Sequence, residues 1–400
     1  MVTKAEALER LAAAEWLKNP DLQLIFRVLD GAAGRTRAVG GLVRDTLLGI
    51  SRDGGDVDLA TELLPEEVMA RAGMRGFATY PTGTAHGTVT LKLGALVVEV
   101  TTLRRDVETD GRHAVVQFGK DWKEDAARRD FTMNALYVDS SGTLFDPIKG
   151  LSDCVASRVR FIGDPDKRIA EDRLRVFRFF RFCTSHGRQR FDDAGFSACA
   201  KAAAELGSLS AERVGAEMIR ILALPKAAVT LGKMVEAGVL TLPCDVEAQI
   251  RYEKLARTPS ASGRLALMLH GGNGVRFSAA WRLANRTFAD AEAVLAAARL
   301  LVAGQLHAAG YRYREALANA VPVAGAIAGW KGADIRKLEV AEGRLEVPPF
   351  PVNGTDLLAL GMDPGKRLGE ELGRLEDAWV ESGYKLGRAQ LLARVRLART

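Results

Sequence analysis

The sequence has few cysteines, few histidines and no long hydrophobic run, and each shortage excludes a class of protein. The four cysteines form no CxxC pair, which argues against a zinc site and against a disulfide framework. No apolar stretch is long enough to span a bilayer, and the N-terminus lacks the basic-then-apolar pattern of a signal peptide. None of the five histidines is followed by Asp, so the His-Asp metal dyad of phosphohydrolases is missing. We therefore expect a cytoplasmic protein with buried free thiols.

The composition that remains is that of a large folded protein with two kinds of sequence texture. The chain has 400 residues, 48% of them apolar, which is enough for more than one packed domain. Short β-rich runs, helices and many glycines alternate up to about residue 150, and Ala, Leu, Arg and Glu with helical periodicity dominate afterwards. The pattern predicts an α+β fold with a mixed-sheet head and an all-α C-terminal half. The net charge of +6 permits a polyanionic partner without requiring one.

A glycine pair opens the first chemically informative stretch, Gly40-Gly41-Leu42-Val43-Arg44-Asp45. The spacing predicts a helix from Leu42 to Leu48, whose first N–H groups would face an anion such as a phosphate. Arg44 lies one turn into this helix and could bind the same group through its planar guanidinium. The stretch therefore indicates a phosphate site.

Two aspartates follow on the next apolar segment, at positions 56 and 58. Side chains of an extended strand repeat every two residues, so Asp56 and Asp58 are expected on one face. Two adjacent carboxylates are costly unless a divalent cation lies between them, and oxygen ligands at this spacing suit Mg²⁺. An Asp-x-Asp taken alone is also typical of solvated turns, and that alternative stays open.

A hairpin is predicted where two β-rich runs flank Gly94-Ala95, a pair suited to a type II′ turn. Counting back from the turn pairs Leu91 with Val98 on an apolar face and places Glu99 opposite Thr90 on the other face. Glu99 is then either a solvated outward residue or the third carboxylate of a metal site.

Two further segments carry many charges. The run from Arg104 to Gly119 alternates in charge and is interpreted as a mobile loop. The run from Ile169 to Phe182 predicts one long helix with an apolar side and an arginine side, and with Asp172 between them. Its three arginines at a spacing of three are equally compatible with a solvated helix face.

Together these motifs resemble the nucleotidyltransferase superfamily, in the branch of tRNA CCA-adding enzymes and bacterial poly(A) polymerases. The resemblance is strong over residues 37 to about 222 and weak in the tail. It is carried by the glycine pair with its Arg-Asp, the Asp-x-Asp, and four later stretches. These are Val98-Glu99-Val100-Thr101-Thr102, Asp110-Gly111-Arg112-His113, Ala127-Arg128-Arg129-Asp130-Phe131-Thr132-Met133-Asn134-Ala135-Leu136, and Glu171-Asp172-x-x-Arg175.

The resemblance implies a role for each candidate residue. Asp56, Asp58 and Glu99 would hold two Mg²⁺ ions and form the catalytic centre. The nucleotide would be bound by Gly40, Gly41, Arg44, Arg129, Asp172, Arg175, Arg178 and Arg181. Among these, Asp172 and Arg175 would choose the base, because a carboxylate accepts from the exocyclic amine of C or A while a guanidinium donates to the ring acceptors beside it.

The activity implied is addition of C, C and A to the 3′ end of tRNA, without a template, from CTP and ATP. A poly(A) polymerase, an enzyme adding only CC or only A, and a non-catalytic RNA-binding protein are the alternatives. The chain would comprise an N-terminal helical extension (1–30), a nucleotidyltransferase head (31–150), a helical neck for base recognition (151–224), a helical body (225–345) and a helical tail that binds tRNA (346–400). No membrane partner is expected.

Overall fold

A computed structural model describes residues 2–51, 57–84, 87–109, 114–272 and 274–396, excluding the side chains of 106–109 and 114–116. The chain folds into two compact units. The first comprises Met1–Ser210 with Lys233–Leu240, and the second comprises Ala211–Gly232 with Thr241–Thr400.

The first unit is built on a mixed sheet whose strands come from widely separated parts of the chain. In the described ranges its order is β3-β4-β5-β2-β1-β8-β9, with β2 and β5 parallel and the other neighbours antiparallel. This confirms the predicted mixed-sheet head. The strands are β1 (Thr36–Val39), β2 (Val57–Thr61), β3 (Ala78–Gly83), β4 (Thr88–Leu93), β5 (Leu96–Thr102), β6 (Arg104–Thr109), β7 (Ala114–Phe118), β8 (Tyr137–Val138) and β9 (Leu144–Phe145).

Helices precede, interrupt and follow the sheet. The first begins at a capping box in which Thr3 and Glu6 bond each other's backbone N–H groups. The helices of the first unit are α1 (Lys4–Ala12), α2 (Glu15–Lys18), α3 (Pro20–Val28), α4 (Gly41–Leu48), α5 (Pro65–Gly73), α6 (Trp122–Ala127), α7 (Leu151–Val155), α8 (Pro165–Glu171), α9 (Arg175–Ser185) and α10 (Asp193–Ala202).

The β4–β5 hairpin has the predicted register. Leu91 faces Val98, and Thr90 faces Glu99. Gly94 in the turn has φ +60°, a value that glycine adopts without strain. Leu91 and Val98 are fully buried and Glu99 is exposed. The alternation of the sequence was therefore sufficient to place Glu99 on the outer face of the sheet.

The interpretation of Arg104 to Gly119 as a loop is wrong. Strands β6 and β7 pair antiparallel as a two-stranded ribbon, with a register shift between Asp106 and Glu108. The guanidinium of Arg105 donates from Nε to Oε1 of Gln117 across the ribbon at 2.8 Å. Cross-strand pairing and β-branched residues outweighed the charge alternation in this segment. The tetrapeptide Asp110-Gly111-Arg112-His113 lies outside the described residues.

The predicted continuous helix from Ile169 to Phe182 is also wrong, because α8 and α9 are separated by a break at Asp172. This residue has φ −148° and ψ 102°, and its Oδ1 accepts from the N–H of Leu174 at 3.1 Å. A short aspartate side chain that bonds the local backbone competes with helix propagation in this way. The apolar side of α9 is nevertheless as predicted, with Val176, Phe177 and Phe180 buried.

The second unit contains helices and no strand in its described residues, as do residues 151–210, and this confirms the predicted all-α half from residue 151. Its core includes Arg264, which has no exposed surface and donates to the carbonyl of Leu222 at 2.6 Å. The remaining helices are α11 (Ala211–Leu222), α12 (Ala227–Glu236, shared with the first unit), α13 (Val246–Leu255), α14 (Ala261–His270), α15 (Gly274–Trp281), α16 (Asn285–Val302), α17 (Leu306–Arg312), α18 (Leu317–Ala328), α19 (Gly332–Gly343), α20 (Gly354–Ala359), α21 (Lys366–Glu381) and α22 (Arg388–Leu392).

Two expectations from composition can be compared with this fold. Among the residues described, no helix has both the length and the apolar character needed to cross a bilayer. All four cysteines are free: Cys154, Cys183 and Cys199 are buried as predicted, whereas Cys244 is half-buried.

Candidate active site

A cleft of about 440 Å³ opens in the first unit where the start of α4 meets β2, the segment after α6, and α9. We call it the arginine cleft. It contains Asp58 and every residue implied above as nucleotide-binding. Its lining comprises Gly40, Gly41, Arg44, Asp58, Arg128, Arg129, Asp130, Asn134, Asp172, Arg175, Arg178, Arg181 and Phe182.

Gly40 allows the backbone to enter the cleft at the start of α4. Its φ of +77° and ψ of −129° are accessible to glycine and strained for other residues. A Cβ built on Gly40 would lie 3.9 Å from Oδ2 of Asp58 and 4.0 Å from Nη1 of Arg129. Since no described side chain caps α4, its first N–H groups suit an anion.

We expect Gly40→Ala to lower the free energy of unfolding by about 1 kcal/mol, because alanine must adopt a positive φ although the site has room for its Cβ. Gly73→Ala is the matched control, since Gly73 lies in the helix α5 with open space around it. Thermal unfolding of both variants measures the difference. An unchanged Tm for Gly40→Ala would contradict the strain argument.

Arg44 is held in place by two partners and is only 5% exposed. Its Nε donates to Oδ1 of Asp45 at 2.8 Å, and its Nη1 donates to Oδ1 of Asn134 at 2.6 Å. Asn134 in turn donates through Nδ2 to Asp130 at 2.9 Å. A guanidinium fixed in this way loses little conformational entropy when it binds a phosphate.

Buried aspartates orient the next two arginines. Arg129 pairs with Asp125 at 3.1 Å, and Tyr137 donates its hydroxyl to the same carboxylate at 2.7 Å. Arg178 pairs with Asp130 through Nε at 2.8 Å. Burial acts to raise the pKa of the Asp130 carboxyl, but Arg178 and Asn134 outweigh it and the pKa is lowered. Asp130 therefore remains an anion that holds Arg178 towards the cleft.

The ring of Phe182 packs beneath three guanidinium groups from two helices. The ring centroid lies 4.5 Å from Cζ of Arg181, 5.0 Å from that of Arg44 and 5.5 Å from that of Arg178. Cations over an aromatic face are attracted by its quadrupole. The ring thus helps to stabilise three positive side chains close together, and such a cluster of positive charge suits a polyphosphate.

Asp172 and Arg175 lie together at the other end of the cleft. Arg175 donates to the carbonyls of Arg168 and Arg128 at 2.9 and 2.8 Å, and to Glu171 at 2.7 Å. In the described structure these bonds use three of its five N–H groups. Arg175 is thus rigidly mounted beside the break at Asp172.

The acidic side of the site comes from the parallel strands β2 and β5. Asp58 and Glu99 are register partners there, so their side chains share one face of the sheet. Asp58 is half-buried, Glu99 is exposed, and Asp56 lies outside the described residues. Within those residues no group of three His, Cys, Asp or Glu forms a metal centre. Asp58 lines the cleft and Glu99 does not, but neighbouring carboxylates on one face of a sheet fit a hard divalent cation.

The sequence reasoning missed the residues that hold the arginines. Asp130 and Asn134 stand four apart between buried apolar residues, a signal that could have marked them as buried and hydrogen-bonded. Asp45 bonds His186, 141 positions away in the chain. Because Asp45 and His186 are so far apart in the chain, no local sequence pattern indicates their contact.

Comparison with known proteins gives two family matches along this chain. Residues 36–160 match the family described as "Poly A polymerase head domain". Residues 190–242 match the family described as "Probable RNA and SrmB- binding site of polymerase A". The first match covers the sheet and two acids of the arginine cleft, Asp58 and Asp130.

Full-length relatives are similar over nearly the whole chain. The mitochondrial CCA tRNA nucleotidyltransferase 1 of Mus musculus is 30% identical, covering 97% of this chain and 94% of its own. That of Danio rerio is 33% identical, covering 94% and 92%. The crystal structure of the Bacillus stearothermophilus CCA-adding enzyme in complex with CTP superimposes with a TM-score of 0.73 at 30% identity, covering 94% of this chain and 96% of that one. This chain belongs to the family of CCA-adding tRNA nucleotidyltransferases.

Proposed function

We propose that this protein adds C, C and A to the 3′ end of tRNA, using CTP and ATP without a nucleic-acid template and releasing pyrophosphate. The observation that carries the proposal is the arginine cleft, which joins a helix N-terminus and several arginines to an acid on β2. Relatives that share nearly the entire chain bear the name of this activity.

Enzymes of this family depend on divalent metal ions. We assign two Mg²⁺ ions, one held by Asp56, Asp58 and Glu99 and the other by Asp56 and Asp58. Bound there, the ions would lower the pKa of the tRNA 3′-hydroxyl and balance charge on the leaving pyrophosphate. The register pairing of Asp58 with Glu99 supports the assignment.

The chain's own residues bind and orient the triphosphate. The first N–H groups of α4, from Gly41 onward, would approach the phosphates, with Gly40 allowing the close approach of the backbone and Arg44 beside them. Arg178 and Arg181 would reach them from α9, and Arg129 would contact the nucleotide beside Gly40. Since their partners already fix Arg44, Arg129 and Arg178, the α-phosphate is positioned with little reorganisation.

Base choice rests with Asp172 and Arg175. The carboxylate accepts from the exocyclic amine of cytosine or adenine, and the guanidinium donates to ring acceptors. Guanine and uracil present the opposite order at the amine position. They would leave buried groups unpaired at a cost of about 1 to 3 kcal/mol each.

The test supplies tRNA that lacks its terminus with each nucleotide singly and then together. We expect CTP alone to add C residues and stop, ATP to be incorporated after them, and GTP and UTP to be rejected. Incorporation confined to CTP, or confined to ATP on tRNA already ending in CC, would identify a partial enzyme. Long A tracts on unrelated RNA, with CTP ignored, would instead establish the poly(A) polymerase alternative.

The tail, residues 346–400, is proposed to bind tRNA. Its helices pack around Trp379, and Arg374 and Glu371 hold the backbone near the C-terminus through the Arg394 carbonyl and the Arg396 N–H. Arg388 pairs with Asp356. Packing of the described part of the tail supports this proposal, since it holds Arg394 and Arg396 on a folded segment where they could contact phosphates.

The proposed compartment is the cytoplasm. Its support is the set of four free cysteines, which suits a reducing environment. The Mus musculus and Danio rerio relatives carry the word mitochondrial in their names.

A further inference from the structure

A chain of hydrogen bonds runs beneath the arginine cleft and ties the end of α9 to α4. Nε2 of His186 lies 3.0 Å from Oδ1 of Asp45. The same Oδ1 accepts from Nε of Arg44 at 2.8 Å. His186, which follows the last residue of α9, is thus one hydrogen-bonded residue away from an arginine of the cleft.

We infer that His186 is a positioning residue for the phosphates of the nucleotide, and that nucleotide binding and protonation of its imidazole are linked. The inference rests on the function proposed above. It assigns no contact between His186 and substrate. The residue acts through Asp45, whose orientation determines where Arg44 points.

The position of His186 is built into the fold. Its side chain is 11% exposed, and its ring packs 5.4 Å from that of Phe182, which lies under the cleft arginines. Gly187 follows it, and a Cβ at Gly187 would come within 2.8 Å of the Cα and the carbonyl oxygen of Cys183. Only glycine lets the chain turn this tightly, so the end of α9 places the imidazole against α4.

The second ring nitrogen faces a hydroxyl that can serve either protonation state. Nδ1 of His186 lies 2.6 Å from Oγ of Ser185, and the same Oγ lies 2.9 Å from the carbonyl oxygen of Arg181. Ser185 has one hydroxyl proton for these two acceptors. It donates to Nδ1 when the imidazole is neutral. When the imidazole is charged, it donates to the Arg181 carbonyl and accepts from Nδ1–H.

The charged groups around His186 belong to the nucleotide site. Burial lowers the pKa of the imidazole, Arg44 and Arg181 lower it further, and Asp45 acts to raise it. His186 is therefore neutral at neutral pH and gains its proton at a lower pH than an ordinary histidine. The Asp45 carboxylate stays ionised, because His186 and Arg44 outweigh the effect of burial on its pKa.

A bound triphosphate changes this balance in a definite direction. Its negative charge beside Arg44 and Arg181 offsets their repulsion of the imidazolium, so the pKa of His186 is higher in the complex than in the free enzyme. Binding then takes up a proton between those two pKa values. Across that window the contribution of His186 to nucleotide affinity increases as the pH falls.

The test compares KM values of wild type, His186→Gln and His186→Leu for CTP and ATP across pH 5.5 to 8.5. Glutamine can keep the donor to Asp45 without titrating, whereas leucine removes it. We expect His186→Leu to raise KM for both nucleotides by a common factor of about five, since phosphates are shared by both and a lost bond to a charged group weakens the hold on Arg44. Rejection of UTP should not change.

At neutral pH we expect the KM of His186→Gln to be close to that of wild type. At acidic pH we expect the KM of wild type to fall and that of His186→Gln not to follow it. The ratio of the wild-type KM to that of His186→Gln at each pH cancels the titration of the triphosphate itself. The inference would be overturned if the KM of His186→Leu equalled that of wild type at every pH, or if His186→Gln kept the pH profile of wild type. If wild type itself fails to add CCA, the proposed function fails instead.

Discussion

Asp58→Ala is expected to reduce nucleotide incorporation by about a thousandfold or more, because a metal-binding carboxylate supports several kcal/mol of transition-state stabilisation. Asp58 lines the arginine cleft on β2 and has Glu99 as its register partner on β5. Binding of tRNA should remain nearly intact, since phosphate contacts elsewhere supply that affinity. Single-turnover incorporation and a filter-binding assay measure the two quantities.

Glu66→Ala provides the matched control for Asp58→Ala. Glu66 is an exposed acid on α5 of the same unit and does not line the cleft. Glu99→Gln provides the complementary variant, which should also lose most activity while preserving shape. Full activity in Asp58→Ala would refute the metal assignment, and full activity in Glu99→Gln alone would remove Glu99 from it.

Asp172→Ala is expected to relax the rejection of UTP by about tenfold to a hundredfold, because one mismatched hydrogen bond at a base edge is worth about 1 to 3 kcal/mol. The measurement is the ratio of kcat/KM for CTP to that for UTP on tRNA lacking its terminus. The carboxylate also accepts from the Leu174 N–H in the break between α8 and α9. Loss of this bond could shift α9, so a second variant is needed.

Asp172→Asn separates the two roles of the carboxylate. Its amide oxygen can keep the bond to Leu174, while its NH₂ group presents a donor where cytosine and adenine also present one. We expect discrimination to fall in this variant with no loss of Tm. Asp166→Ala, an exposed acid of α8 that pairs with Lys201, should leave discrimination unchanged. Unaltered rejection of UTP in both Asp172 variants would mean that the base is read elsewhere.

Features set by local periodicity could be predicted from the sequence. The β4–β5 hairpin follows from strict alternation around Gly94, so its register and the exposed face of Glu99 were both correct. The start of α4 follows from a glycine pair before an apolar segment. In each case the conformation is determined by residues that are close together in the sequence.

Two segments were misjudged because a local interaction opposed the dominant pattern. Periodicity alone could not show that the Asp172 side chain would bond the backbone and end α8. Alternating charge between Arg104 and Gly119 suggested a loop. The segment instead forms two paired strands, which cross-strand contacts such as that of Arg105 with Gln117 stabilise. Periodicity and charge pattern are therefore poor guides where an aspartate interrupts a helical pattern and where two polar strands pair with each other.

The long-range contacts that support the cleft could not be predicted, because the residues that form them are distant in sequence. The contacts between Asp45 and His186, and between Asp130 and Arg178, join residues that only the folded chain brings together. Sequence reasoning identified groups that would face a nucleotide. It did not predict which carboxylates from distant segments orient those groups.

Phe182 makes the three guanidinium groups around it energetically interdependent. Arg44, Arg178 and Arg181 each contact this one ring, so replacing any of them changes the surroundings of the ring and thereby the contacts of the other two. The losses from single replacements are then not additive. Removal of the Phe182 ring would accordingly cost all three guanidinium groups a contact at once.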